Sequence, residues 1–466
     1  MRFVSTRGEA PILGFSDAVL TGLARDGGLY LPETWPRISP EEIAGFSGRP
    51  YAEVAFAIIS RFVEGEIADK DLRDIIEAAY AQFRHPSATP LVEIAPGRFV
   101  LELFHGPTLS FKDVAMQFLA RAMDHILRGR HARATIVGAT SGDTGSAAIE
   151  AFRGRDSIDI FILHPRGRTS EVQRRQMTTV TDDNVHNIAI EGTFDDCQSL
   201  LKGLFRDVRF REDMQLSGVN SINWGRIVAQ IVYYFTAAVS LGAPHRTVSF
   251  AVPTGNFGDI FAGYAAGRMG LPIANLVIAT NANDILARTL ETGVYETGEV
   301  VPTISPSMDI QVSSNFERLL FEVCGRDAVA VKRLMNSLQQ SGQFSIPPPA
   351  LAAIRETFAA GRASETETRS AIERVHRRSG YLLDPHTAVA VSVAEGLELG
   401  QAPVVVLATA HPAKFPAAVK AATGIEPALP AWLSDLYGRP ERYDVLANDQ
   451  GAVESYVRAR SRAGRM

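Results

Sequence analysis

Apolar residues near the start of the chain recur at the spacing of an α-helix. The segments 51–63 and 71–83 place them along one face, which predicts two amphipathic helices. We therefore expect residues 1–85 to form a helical N-terminal region. Two prolines in the segment 85–90 discourage helix on both sides, so this segment is predicted to be a connector.

Beyond the connector, short β-rich runs alternate with amphipathic helical patterns. The candidate strands are 98–104, 134–140, 158–164, 185–192, 247–253, 275–281 and 403–409. The candidate helices are 112–127, 144–152, 225–241 and 259–269. This alternation predicts an α/β fold with mostly parallel sheets, in which ligands bind at the C-terminal ends of the strands. The segment 285–380 is expected to be largely helical, with a break at the prolines of 347–349.

Composition narrows the classes of function. A chain of 466 residues is expected to contain two or three domains, and its net charge of −5 gives no reason to expect nucleic acid or an anionic membrane as a partner. The two cysteines, Cys197 and Cys324, lie far apart, which favours a reducing compartment over a disulfide scaffold. Neither an apolar signal core nor an apolar run of about 18 residues is present, so we predict a cytoplasmic protein.

Lysine is scarce, which makes each lysine informative. Only six lysines occur among the 47 basic residues, and Lys112 falls in the first turn of a predicted helix, after the turn HGPT. Burial and the positive end of the helix dipole both favour a neutral amine, the form that reacts with an aldehyde cofactor. From this segment alone, a solvated lysine near a helix start is an equally good interpretation.

Three segments that lead into predicted helices could receive an anion at a helix N-terminus. In the first, 141–145, two glycines let backbone N–H groups converge, although Asp143 could simply cap the helix. The second, 254–259, lacks the patterns of nucleotide-binding loops and therefore suits the phosphate of a smaller cofactor. The third, 219–230, joins amide, hydroxyl and guanidinium groups, but it also fits an ordinary N-cap beside a solvent-facing Arg226.

A hydroxyl residue, Thr409, ends the fully apolar strand 403–409. Such a hydroxyl can hydrogen-bond a ring nitrogen without charging it, whereas the nearby His411 could equally be a core histidine. The histidines lack metal-binding spacing and no HExxH motif occurs, so metal catalysis is not expected. Taken together, these segments predict a site for an aldehyde cofactor with a phosphate group, for which pyridoxal phosphate is the obvious candidate.

The chain resembles the threonine synthase family over nearly its whole length. The motifs that carry the resemblance are, in order, RDGGLYLP, ELFHGPTLSFKD, GATSGDTG, NSINWGR, PTGNFGD, SPSMDIQVSSNFERLLF and TAHPAKF. It implies a fold-type II pyridoxal-phosphate enzyme similar to the β subunit of tryptophan synthase, with two α/β domains and the cofactor between them. The implied division is an N-terminal helical region at 1–85, a catalytic region at 86–430 and a C-terminal extension at 431–466. Within the catalytic region, a smaller domain of roughly 110–220 is inserted in the larger one.

The resemblance also assigns roles to individual residues. Lys112 matches the lysine that forms a Schiff base with the cofactor. The cofactor phosphate loop is matched by Gly255, Asn256, Phe257 and Gly258, and the hydroxyl that faces the pyridine nitrogen by Thr409. The loop that receives the substrate carboxylate, near the ring hydroxyl of the cofactor, is matched by Ser141, Gly142, Asp143, Thr144 and Gly145. Positions near the substrate phosphate are matched by Asn220, Ser221 and Arg226.

The implied reaction converts O-phospho-L-homoserine and water into L-threonine and phosphate, in a monomer or homodimer. One alternative is a related lyase, such as a threonine/serine dehydratase or an amino-acid phospholyase. The phosphate receptor distinguishes the first of these, because a dehydratase has no leaving phosphate to bind. A catalytically silent homologue and a nucleotide-binding oxidoreductase are further alternatives, although the latter lacks a glycine fingerprint.

Overall fold

The structure is a computed structural model that describes residues 1–140 and 142–465. Its strands are β1 (Phe3–Ser5), β2 (Tyr30–Pro32), β3 (Leu91–Ala95), β4 (Arg98–Glu102), β5 (Ala134–Ala139), β6 (Ile158–Pro165), β7 (Val185–Glu191), β8 (Leu216–Ser217), β9 (Val248–Pro253), β10 (Ile273–Thr280), β11 (Val294–Glu296), β12 (Gln343–Ser345), β13 (Phe358–Arg362), β14 (Val404–Ala408) and β15 (Asp444–Ala447).

The helices follow the same order along the chain. They are α1 (Phe15–Thr21), α2 (Pro40–Ala44), α3 (Tyr51–Val63), α4 (Asp69–Tyr80), α5 (Lys112–Gly129), α6 (Asp143–Phe152), α7 (Glu171–Thr178), α8 (Phe194–Arg206), α9 (Val208–Asp213), α10 (Trp224–Ser240), α11 (Gly258–Met269), α12 (Ile285–Thr292), α13 (Phe316–Val323), α14 (Ala328–Ser341), α15 (Pro348–Thr357), α16 (Glu365–Ser379), α17 (Pro385–Glu395), α18 (Pro416–Thr423) and α19 (Gln450–Arg460). No helix among the described residues combines the length and apolar character needed to cross a bilayer.

The larger sheet has the strand order β13-β10-β9-β14-β4-β3. Its first five strands run parallel, and β3 pairs antiparallel with β4 at the edge. Strand β14, the last of these in the sequence, lies between β9 and β4. Because its side chains are buried along its whole length, it appears in the sequence as a continuous apolar run. This strand order brings the loops after β4, β9 and β14 to one edge of the sheet.

The smaller sheet has the order β15-β7-β6-β5-β8, and all its strands are parallel. Four of its strands come from residues 134–217, and the fifth, β15, comes from the C-terminal segment. Helix α19 packs on the same sheet through Val453 and Val457, beside Phe161 of β6. The C-terminal extension expected at 431–466 therefore contributes directly to this sheet, while the exact domain boundaries remain a prediction.

The N-terminal region supports the start of α10. The ring of Trp224, the first residue of α10, contacts the rings of Trp35 and Phe62 at centroid distances of 6.1 and 5.6 Å. The side chain of Asn223 caps α10 by accepting a hydrogen bond from its backbone, and it also donates to the carbonyl of Val19 at 2.8 Å. Residues 1–85 thus hold in place the loop that leads into α10.

The structure confirms the mostly parallel α/β architecture, with three local differences. The N-terminal region contains an antiparallel pair, β1 and β2, in addition to the predicted helices. Helix α15 begins at Pro348, so the prolines of 347–349 start a helix instead of interrupting one. Strand β13 lies within the segment expected to be largely helical, because pairing with β10 determines its conformation.

Candidate active site

Loops from both sheets meet at a cavity of about 410 Å³, a size suited to a small-molecule ligand. The larger sheet contributes the ends of β9 and β14 and the start of α5, which follows β4. The smaller sheet contributes the start of α6, which follows β5, and the loop between β8 and α10. Segments that are distant in the sequence therefore share one site, as expected for the C-terminal edges of parallel strands.

Lys112 is the first residue of α5, and its side chain lines the cavity. The preceding turn is held by Asp113, which accepts hydrogen bonds from the backbone N–H and the hydroxyl of Thr108 at 2.8 and 2.7 Å. Burial lowers the pKa of Lys112 to about 8, and the nearby cations Arg226 and Lys414 act in the same direction, while Asp143 opposes them. This lowered pKa leaves a much larger fraction of the amine in its neutral, nucleophilic form at physiological pH than the ordinary value of 10.5 would.

Asp143 begins α6, and its two oxygens point to different lysines. Its Oδ1 lies 2.8 Å from Nζ of Lys414 and accepts a hydrogen bond from Nε2 of Gln173 at 2.7 Å. Its Oδ2 lies 3.8 Å from Nζ of Lys112. Burial alone would raise the pKa of Asp143, but Lys414 and Lys112 outweigh that effect and hold this pKa well below its usual range. Asp143 is therefore a buried carboxylate, not a neutral group.

The loop between β9 and α11 fits a phosphate group. The carbonyls of Gly255 and Asn256 accept hydrogen bonds from the side chains of Ser313 and Asn315, at 2.6 and 2.9 Å. The N–H groups at the start of α11 have no partner within the helix, so the loop can present donors to an anion. A Cβ at Gly255 would lie only 2.9 Å from a backbone oxygen of Ser307, so a side chain would not fit there.

The aromatic residue of this loop anchors it to the core. Phe257 adopts a left-handed backbone conformation, with φ of 62°, just before α11. Its buried ring packs against the rings of Phe316 and Phe358, with centroids 5.3 and 5.7 Å apart. The predicted role of Phe257 in phosphate binding can therefore involve only its backbone, because its side chain is used for packing.

Arg226 lies in the first turn of α10 and faces the same cavity. Its side chain is buried, and Nη1 donates to the carbonyl of Val219 at 3.3 Å, whereas Nε has no hydrogen-bond partner among the described residues. Burial lowers the pKa of Arg226 to about 10, so it remains charged at neutral pH. A buried guanidinium with a free donor is a receptor for an anionic ligand.

Thr409 follows β14 and lies beside Lys112. Its carbonyl accepts a hydrogen bond from the backbone N–H of Phe111 at 2.9 Å, and Ala410 forms a β-bridge with Ser110. These contacts hold the loop after β14 against the turn that carries Lys112. Thr409 is therefore held at the wall of the cavity, next to the turn that carries Lys112.

Most of the predicted site residues line this one cavity. They are Lys112, Gly142, Asp143, Thr144, Asn220, Ser221, Arg226, Gly255, Asn256, Phe257, Gly258 and Thr409. Gly145 does not line it. Its N–H donates to the hydroxyl of Thr140 at 3.0 Å, and a Cβ there would lie 2.8 Å from the sulfur of Met177, so its position indicates close packing. Ser141 lies outside the described residues.

Three family models match separate parts of the chain. Residues 2–80 match the family model described as threonine synthase N terminus, and residues 387–457 match the model for the threonine synthase C-terminal region. Residues 83–334 match the model of pyridoxal-phosphate dependent enzymes. The chain belongs to the threonine synthase family. These matches confirm two predictions from the sequence. The chain belongs to a pyridoxal-phosphate-dependent family, and it has the fold-type II architecture.

Individual members of the threonine synthase family match the full length. The threonine synthase of Pseudomonas aeruginosa is 54% identical over 467 aligned residues, which cover 100% of both chains. The crystal structure of pyridoxal-phosphate-bound threonine synthase from Brucella melitensis is 63% identical, with a TM-score of 0.98 over 99% of this chain and 100% of that one. Yeast threonine synthase, at 39% identity, has a TM-score of 0.92 over 98% of each chain.

Several residues of this site were not predicted from the sequence. Lys414 pairs with Asp143, Asp259 lines the cavity, and His386 lines it too while accepting a hydrogen bond from the backbone N–H of Ser307 at 3.2 Å. The scarcity of lysine is a signal that could have identified Lys414. No comparable signal marks His386, which stands in an ordinary capped helix start.

Proposed function

We propose that this chain is a threonine synthase, which converts O-phospho-L-homoserine and water into L-threonine and phosphate. Support comes from family membership over the full length and from one observation in particular. A buried lysine of lowered pKa and a buried arginine with an unpartnered donor line the same cavity. This pairing suits a cofactor bound through an amine and a substrate that carries a phosphate group.

Pyridoxal phosphate, when bound, supplies an aldehyde carbon for attachment and a ring that accepts electrons from Cα of the substrate. We assign Lys112 as the residue of attachment. The backbone of 255–258 would hold the phosphate of the cofactor, and the hydroxyl of Thr409 would face the ring nitrogen. Because a hydroxyl does not hold a proton on that nitrogen as a carboxylate would, Thr409 limits how far negative charge moves into the ring.

Lys112 is also the proposed proton carrier at Cα and Cβ of the substrate. A group that both accepts and donates protons works best when its pKa lies near the working pH. The pKa of about 8 places Lys112 in this range. The loop of Ser141, Gly142 and Thr144 is assigned to the substrate carboxylate, which backbone N–H groups at the start of α6 would bind. Gly145, whose N–H is already bonded to Thr140, supports this loop by close packing.

The phosphate of the substrate is assigned to Arg226, Asn220 and Ser221. Charge-assisted hydrogen bonds from Arg226 would orient this group and stabilise it as it leaves from Cγ, before water adds at Cβ. The buried, unpartnered Nε of Arg226 favours this assignment over a dehydratase, whose substrate carries no phosphate. For the protein as a whole, we propose a cytoplasmic location. We also propose that it is a monomer or a homodimer, and analytical ultracentrifugation would test this oligomeric state.

The decisive experiment is a substrate assay with wild type and Lys112→Ala. We expect wild type supplied with pyridoxal phosphate to release equal amounts of phosphate and threonine from O-phospho-L-homoserine, and the variant to release neither. Formation of 2-oxobutyrate from threonine, without any reaction of the phosphorylated substrate, would identify a dehydratase instead. Failure of wild type to develop an absorption band with the cofactor would indicate a catalytically silent homologue.

A further inference from the structure

Lys414 is a fully buried cation directly behind the cavity. It lies in the short turn after β14, and the exposed fraction of its side chain is 0%. Its Nζ donates to the carbonyl of Thr108 at 2.7 Å and lies 2.8 Å from Oδ1 of Asp143. A buried ammonium ion is costly unless it is paired, so these two partners account for its presence.

This contact joins three segments of the site. Thr108 belongs to the turn before Lys112, Asp143 begins α6 beside the smaller sheet, and Lys414 follows β14 of the larger sheet. Gln176 of α7 donates to the same carbonyl of Thr108 at 3.1 Å, and Gln173 of α7 donates to Asp143. Lys414 therefore sits where the two sheets approach each other around Lys112.

The division of the Asp143 oxygens has a chemical consequence. Oδ1 is engaged by Lys414 and Gln173, which leaves only Oδ2, at 3.8 Å, facing Lys112. A carboxylate without these partners would be free to form a full ion pair with the Lys112 amine. Such a pair would favour the ammonium form, which cannot act as a nucleophile.

We propose that Lys414 is a positioning residue for Lys112: by binding Oδ1 of Asp143, it prevents this carboxylate from trapping the Lys112 amine as an ammonium ion. The inference rests on the proposed role of Lys112 in binding the cofactor. In that step the neutral amine bonds to the carbonyl carbon of the cofactor, and one water molecule is lost. Lys414 does not touch the reacting atoms. It acts on Lys112 chiefly through Asp143, in addition to the direct repulsion between the two cations.

The other charged groups around the two lysines are few. Lys112 is influenced by Asp143 from α6, by Arg226 from α10, by Lys414 from the turn after β14 and by Asp113 from its own helix. It in turn influences Asp259 of α11. Lys414 is close enough to influence Asp143, Asp113 and the imidazole of His411. Among these groups, Asp143 contacts both lysines, so removal of Lys414 is felt at Lys112 chiefly through this carboxylate, in addition to the loss of direct repulsion between the two cations.

The test measures how fast cofactor-free protein captures pyridoxal phosphate as a function of pH, from the growth of the absorption band of the bound cofactor. In Lys414→Met, the midpoint of this profile should move upward by about one pH unit, which makes capture about tenfold slower at pH 7. In Asp143→Asn, where Lys414 is left unpaired, the midpoint should move downward. In the Asp143→Asn background, replacing Lys414 by Met should move the midpoint by much less than one pH unit, because the carboxylate through which Lys414 chiefly acts is absent. Lys414→Arg alone should retain most of the wild-type profile.

Lys420→Met is the matched control, because Lys420 is exposed and pairs only with Glu426 at the surface. It should leave the midpoint unchanged. A purely structural role for Lys414 would slow capture at every pH without shifts of opposite sign in the two single variants, and that result overturns the proposal. If Lys414→Met does not fold, an unchanged midpoint in Asp143→Asn overturns it equally. Absence of the band in wild type would instead contradict the assignment of Lys112.

Discussion

Replacing Lys112 by methionine is expected to stabilise the cofactor-free protein, because the native site imposes a cost on the lysine charge. Burial, the largest cause, lowers the pKa from the ordinary 10.5 to about 8. One pKa unit corresponds to about 1.4 kcal/mol, so the protonated side chain costs on the order of 3 kcal/mol in the folded state at pH 7. Methionine has a similar length and no charge, so Lys112→Met should recover most of this free energy.

The effect should depend on pH with a defined sign. Below about pH 8, Lys112 is protonated in both the folded and unfolded states, so the full cost is present. Between about pH 8 and 10.5 only the unfolded chain binds the proton, so the free energy of unfolding of wild type rises by about 1.4 kcal/mol per pH unit. The advantage of Lys112→Met over wild type should therefore shrink from pH 7 to pH 9.

Urea denaturation of both cofactor-free proteins at pH 7 and pH 9 measures this difference. The exposed Lys420 again provides the control, since Lys420→Met should change stability little at either pH. Equal stability of wild type and Lys112→Met at pH 7, or a difference that does not change with pH, would refute the reasoning. Either result would mean that the cavity hydrates the ammonium ion well and that burial does not prepare the lysine for reaction.

Three further substitutions test other parts of the site. Arg226→Met should lower kcat/KM for O-phospho-L-homoserine about 10- to 100-fold, which corresponds to the loss of one charged hydrogen bond. Steady-state kinetics measure this loss. Inhibition by inorganic phosphate that is as strong in the variant as in wild type would contradict the assignment of Arg226. Gly255→Ala, whose Cβ would lie 2.9 Å from Ser307, should weaken pyridoxal-phosphate binding at least about tenfold in fluorescence titrations, and an unchanged affinity would disprove the tight fit. Trp224→Ala should lower the free energy of unfolding by about 3–5 kcal/mol and make residues 1–85 susceptible to protease. If residues 1–85 of the variant resist proteolysis as in wild type, the packing of this region against the start of α10 is not what supports that helix.

Elements with a strong local pattern were predictable from the sequence. The fully buried strands β6, β9 and β14 are rich in apolar residues, without interruption in β14, and each coincides with a predicted strand to within a residue or two. Lys112 could be placed in a helical first turn, because turn residues directly precede an amphipathic pattern. The resemblance to a family then supplied roles that spacing alone left undecided.

Features that depend on distant partners were not predictable in this way. Strand β13 has the sequence FAAGR, which carries no alternation and follows directly on α15, so only its pairing with β10 makes it a strand. The contact between Lys414 and Asp143 joins positions that are remote in sequence, and neither segment contains a local signal for it. The role of Lys414 thus arises from the strand order of the larger sheet, which places β14 next to β4.

The position of β15 has a consequence for how the protein is made. This strand forms one edge of the smaller sheet, yet it follows its neighbour β7 by roughly 250 residues along the chain. At typical synthesis rates of about 5–20 residues per second, β7 emerges from the ribosome roughly 10 to 50 seconds before its partner exists. During that interval the edge of β7 is open to incorrect pairing, a hazard that chaperones limit. The smaller sheet can therefore be completed only late in translation.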